Sequence, residues 1–198
     1  MTPNRISVKF FVKSDAKIEL PALTPVFQKW IQRRAVEGLL IDVADYKHVP
    51  DGPGILLIAH EGDYALDVSD GKPGVQYTAK RNLQGDLPAR LAQVWRLALI
   101  AAQKLSAEKS LKGLKFDYAD VKLAFLDRLN TPNRPDVIAA LQPDIRAFVS
   151  DLYQTDTLQI DVLYADPREA LATHLQIEGD PDPETLLARL QTPELAAR

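Results

Sequence analysis

From residue 39 to residue 79 the chain alternates short apolar stretches with clusters of glycine, proline and aspartate. The strand-length stretches are 39–43, 55–59, 64–68 and 75–79. Between them lie Pro50-Asp51-Gly52-Pro53-Gly54, Glu61-Gly62-Asp63 and Asp70-Gly71-Lys72-Pro73-Gly74, which have the composition of turns. A parallel crossover needs a dozen or more residues, usually helical, and these connections leave no room for one. The segment therefore folds as an antiparallel meander, and the rest of the chain must build around that sheet.

The flanking segments supply strands and helices to do so. Ile6, Val8, Phe10 and Val12 alternate with Ser7, Lys9, Phe11 and Lys13, the period-two pattern of a half-buried strand. Leu23, Val26, Phe27, Trp30 and Ile31 recur at three and four. They predict a helix bracketed at its start by Pro21 and Pro25, with Thr24 as N-cap and Gly38 as a left-handed terminator. Residues 87–105 form the most strongly amphipathic helix, with Leu91, Val94, Trp95, Ala98, Leu99, Ala102 and Leu105 on one face and Asp86 as its N-cap.

Beyond a polar connector at 106–113 the plan recurs. A strand is expected near 114–126 and a helix at about 135–153, which Pro143 should kink or restart. Strands follow at 158–164 and 170–177. The tail, 179–198, holds Pro181, Pro183 and Pro193 around a short apolar helix at 186–190, read as a docking helix or an arm that meets another subunit.

The expected fold is α+β: a two-layer sandwich of a largely antiparallel sheet covered by helices. Its halves are residues 1–105 and 114–178, either separate or in one continuous domain. The triplets Ile41-Asp42-Val43 and Ile160-Asp161-Val162 each follow a helix that follows an opening strand, which raises an internal duplication of a strand–helix–strand unit.

Charge and composition narrow the partners. The formal net charge is −3, so no global basic field exists to hold a nucleic acid by counterion release. Lys29, Arg33 and Arg34 make a basic edge on the first helix, but Trp30 between them sits at core spacing and reads as buried, leaving the cations as a solvated face. No apolar run approaches the roughly 18 residues of a membrane span, and the expectation is a cytoplasmic protein. With no cysteine, disulfides, thiolate catalysis and cysteine-bound metals are excluded.

Chemistry concentrates in residues 39–70, which contain seven carboxylates and two of the three histidines. Asp45, His48 and His60, with Glu61, have the donor types of a divalent metal site. His60, Glu61 and Asp63 are the corresponding candidates for general acid–base catalysis. In the plainer reading Asp42, Asp63 and Asp67 face water from strands, while Asp51 and Asp70 form turns beside glycine.

Lys80 and Arg81, ahead of the long helix, are candidate anion ligands. Gly52-Pro53-Gly54 leads into a strand, so it is not a phosphate cradle. His174, without a local carboxylate, reads as structural. No Gly-x-Ser-x-Gly element is present, which disfavours covalent catalysis. Two expectations follow. The chain is a non-catalytic interaction domain that binds itself, another protein or a small molecule. Alternatively, it is a metal-dependent hydrolase or acid–base enzyme using residues 42–67.

Overall fold

The computed structural model describes residues 3–13, 18, 20–111, 113–163 and 166–191. Among these described residues eight strands form one antiparallel sheet: β1 (Ile6–Val12), β2 (Leu40–Asp45), β3 (Ile55–Ala59), β4 (Gly62–Asp67), β5 (Gly74–Ala79), β6 (Phe116–Phe125), β7 (Leu158–Val162) and β8 (Leu171–Ile177). Their spatial order is β2-β3-β4-β5-β1-β6-β8-β7. The described residues also form four α-helices, α1 (Leu23–Arg33), α2 (Leu87–Ala107), α3 (Pro135–Tyr153) and α4 (Pro183–Leu190). The expected α+β two-layer sandwich is the observed architecture.

One sheet spans both halves because β1 pairs with β5 on one side and with β6 on the other. The two Ile-Asp-Val triplets fall on β2 and β7, the outermost strands. Central placement also corrects the reading of β1 as half-buried: Ile6 through Phe11 are all buried, Lys9 included. Tyr164 and the residues beyond Gln191, Pro193 among them, lie outside the described residues.

All four helices pack on one face. Ile6, Val8 and Phe10 of β1, Val75 and Tyr77 of β5, and Val121 and Leu123 of β6 share a single core with the apolar faces of the helices. Helix α2 lies at its centre, touching β1, β5, α3 and α4. Trp95 fits between Phe10 and Phe148, its ring centroid 6.1 Å and 5.3 Å from theirs, both edge-on. Helix α4 of the tail places Leu186 and Leu190 in this core.

Two helix-end expectations change, and the restart expected at Pro143 does not occur. Helix α1 starts one residue before Thr24, after a 3-10 turn at Leu20–Ala22, and has no side-chain cap. Its left-handed terminator is Arg34, at φ 48°, instead of Gly38. Gly38 has a positive φ of 103° further on, in the lead into β2, where a Cβ would lie 2.9 Å from Glu61 Oε2. Helix α3 runs unbroken through Pro143. Pro143 and Ala139, whose carbonyl loses its amide partner, are both exposed, so the freed group is open to water. Asp86 caps α2 as expected, accepting from Ala89 N at 3.1 Å.

A bulge in β6 sets up the polar face. Phe10 pairs with Val121 but Val12 with Phe116, so residues 117–120 stand opposite Phe11 alone. The Tyr118 carbonyl accepts from Tyr153 Oη at 2.7 Å, and that hydroxyl accepts from Trp95 Nε1 at 3.0 Å. Burial pushes the Tyr118 phenol up to about 12, and pushes Tyr64, Tyr77 and Tyr153 well above the ordinary tyrosine value.

A raised folded-state value means that the stability these groups contribute is complete below the unfolded value near 10 and is lost as pH rises through that of the fold. The urea midpoint should therefore fall from pH ~10 upward, and in a Tyr46→Phe, Tyr164→Phe background phenolate absorbance should appear together with loss of circular dichroism. Phenolate forming in that background near the ordinary tyrosine value while the fold stays intact would contradict the burial of Tyr64, Tyr77, Tyr118 and Tyr153.

Candidate functional site

The face of the sheet away from the helices is covered by no described helix, and its side chains follow directly from the register. One row crosses all eight strands: Ala44, Leu56, Ala65, Gln76, Lys9, Lys122, His174 and Asp161. Lys9 and Lys122 stand directly opposite each other, an arrangement that is destabilising unless carboxylates intervene.

They do so from neighbouring positions. Lys9 Nζ reaches across β5 to Asp67 Oδ1 at 3.0 Å and to the Ser69 carbonyl at 3.2 Å. The exposed fractions of the two side chains are 0% and 5%. Asp67 is thus no solvent-facing strand residue but the buried partner of a buried lysine. Its carboxylate also accepts from Ser69 N at 2.9 Å and from Ser69 Oγ at 2.8 Å. The lysine stem passes over Gly74, where a Cβ would come within 2.8 Å of Lys9 Cγ and 2.6 Å of the Phe10 carbonyl.

Beside this pair the β6 bulge delivers Asp120, which bonds both Lys72 Nζ and His174 Nε2. Phe11 lies beneath them, with Lys72 Nζ 4.2 Å above its ring and the His174 imidazole edge-on at 5.8 Å. The carboxylate partner of His174 comes from a strand 54 residues away. No local pattern could have announced it; only the β6–β8 register does.

The candidates from the sequence are placed differently. Asp45 and His48 lie at one end of the β2–β3 hairpin and His60 at the other, since Asp45 pairs with Ile55 and Leu40 with Ala59. Five residues at about 3.3 Å each put the two ends roughly 16 Å apart. Among the described residues no three histidine, aspartate or glutamate side chains converge as a metal site.

The carboxylates of the segment serve the backbone and nearby lysines. Asp45 bonds Lys47 Nζ at 2.7 Å and Lys47 N at 3.1 Å. The Lys47 ammonium holds the Asp45 carboxyl below its ordinary range. Glu61 accepts from Leu39 N at 2.9 Å, and that amide lowers its pKa. Both are therefore fixed, ionised acceptors near neutral pH, the wrong state for a proton donor. Asp63 accepts from Ala59 N at 3.2 Å and from Lys80 Nζ at 2.8 Å, so the Lys80 ammonium is already paired. Arg81 is exposed, and its amide donates to the Glu61 carbonyl at 3.3 Å.

Exposed apolar residues form the other grouping. Leu39, Ile41, Tyr46 and Val49 lie on or just beside β2, and Val162 and Leu163 lie at the end of β7. These are the two open edges of the sheet. Comparison with protein-family models, with characterised proteins and with solved structures finds no match.

The buried pair is sensitive to the loss of either partner. Lys9→Met leaves Asp67 as an uncompensated buried charge and should cost about 3–5 kcal/mol. Lys9→Met with Asp67→Asn should cost less than Lys9→Met alone, because the stranded charge is gone. Urea unfolding of the set measures both, and additive losses would rule out direct coupling.

Proposed function

We propose that the chain is a non-catalytic interaction domain that associates with a second copy of itself through the β2 edge. The supporting observation is where exposed apolar surface collects. Leu39 is 64% exposed and Ile41 57%, with Tyr46 and Val49 beside them on the same edge. A strand edge offers unpaired backbone groups, and flanking apolar side chains add area that water does not favour. The β7 edge has less apolar surface and carries Gln159 and Asp161.

Self-pairing has a register that suits these side chains. In a two-fold antiparallel arrangement centred on Val43, Val43 faces Val43 of the other copy and each Asp42 faces Ala44. The two carboxylates are then not directly opposed. In the single chain the Asp42 carboxylate accepts from Val43 N at 2.7 Å. That bond occupies one edge donor, and an incoming strand replaces it with a backbone carbonyl. The same local bond blunts casual pairing with unrelated strands, which suits an edge meant for one partner.

Sedimentation equilibrium tests the reading. The full chain should reach a dimer at tens of micromolar, and Ile41→Lys should weaken association by at least about tenfold, the effect of losing roughly 1.4 kcal/mol. A monomer at about 100 µM removes the proposal, and a dimer indifferent to Ile41→Lys removes β2 as its interface.

A further inference from the structure

We propose that the cleft between the C-terminal ends of α1 and α2 binds a compact phosphate polyanion. The cleft has a volume of about 420 Å³ and is lined by Lys29, Trp30 and Arg33 from α1, by Lys104 and Glu108 at the end of α2, and by Lys109 just after it. Four cations thus face one carboxylate in a chain whose net charge is −3.

That carboxylate shows what the cleft prefers. Glu108 is mostly buried and receives Lys29 Nζ at 3.1 Å and 3.2 Å on its two oxygens, with Trp30 Nε1 at 3.4 Å. The chain has placed its own anion on the floor of the cleft. Arg33, Lys104 and Lys109 are exposed around it, and among the described residues none of the three has an ion-pair partner. The helix C-termini carry partial negative charge that offsets part of this repulsion, but about half a charge each does not balance three cations.

The donor set defines the ligand class. Ammonium groups and a guanidinium fork match clustered anionic oxygens, and the fork suits phosphate in particular. Trp30 is buried and its indole N–H is engaged by Glu108, so the cleft offers no ring on which a base could stack. It recognises charge density, as in a short chain of phosphates. This site is distinct from Lys80 and Arg81, the anion candidates from the sequence.

Isothermal titration of the full chain with sodium tripolyphosphate should show one site per chain, weakening as salt rises. Arg33→Glu with Lys104→Glu should reduce affinity by at least about tenfold, with circular dichroism and melting of the unliganded variant confirming its fold. Glu108→Gln should strengthen binding, because it removes the internal competitor and releases Lys29; damage to the fold would weaken it. Lys80→Glu with Arg81→Glu should change nothing. Absence of heat and of thermal stabilisation at about 5 mM tripolyphosphate overturns the site, as does undiminished binding by the Arg33/Lys104 variant. Citrate binding as tightly as tripolyphosphate overturns the phosphate assignment.

Discussion

Strands β1 and β6 run antiparallel down the middle of the sheet, and the rest of the molecule presupposes their pairing. Without it the five strands β2-β3-β4-β5-β1 and the three strands β6-β8-β7 would be separate small sheets, each with a further exposed edge. With it, α2 has a surface broad enough to bury residues on several sides, from Leu91 to Leu105, against the sheet, α3 and α4. The pairing also carries the β6 bulge, so the geometry that joins the halves positions Asp120 beside Lys72 and His174.

A sheet face that no described helix covers must be compatible with water, and this one achieves that with an ion-pair lattice. At the centre, long neighbours shield the small side chains Ser7, Ala65, Ala124 and Ala172, and Lys9 is driven out of solvent altogether. A buried lysine is tolerable only with its carboxylate in place, and Asp67 is held by Ser69 as well as by Lys9. Such a pair adds little net stability over an apolar substitute. It does penalise any register that separates the partners, which favours one pairing of β1 with β5 over a slipped one.

Periodicity and turn chemistry made most of the fold readable. Residues 55–59 appear as β3 with the same bounds, the Pro50–Gly54 cluster falls between β2 and β3, and Asp86 caps α2, because each of these depends on neighbours in sequence. The misreadings share one cause: a distant part of the chain decides the outcome. Lys9 looks like a solvent residue until β5 and β6 flank it. Asp67 looks like its exposed counterpart until Lys9 reaches over Gly74. His174 has no carboxylate nearby until β6 provides Asp120. Residue types in 42–67 did signal charge density, yet which carboxylates meet which cations depends on hairpin register, and that register separates His48 from His60.

The basic residues show the same logic in reverse. On α1 alone, Lys29 and Arg33 beside a buried tryptophan describe a solvated helix face, and that reading is sound for an isolated helix. What changes it is the arrival of Lys104, Glu108 and Lys109 from the end of α2, 71 or more positions along the chain. Cations spread along one helix repel weakly through water, but cations gathered on the walls of one cleft share a field that an anion can relieve. The meeting of the two helix ends around Glu108 therefore creates a property that neither helix has, and the overall acidity of the chain conceals it.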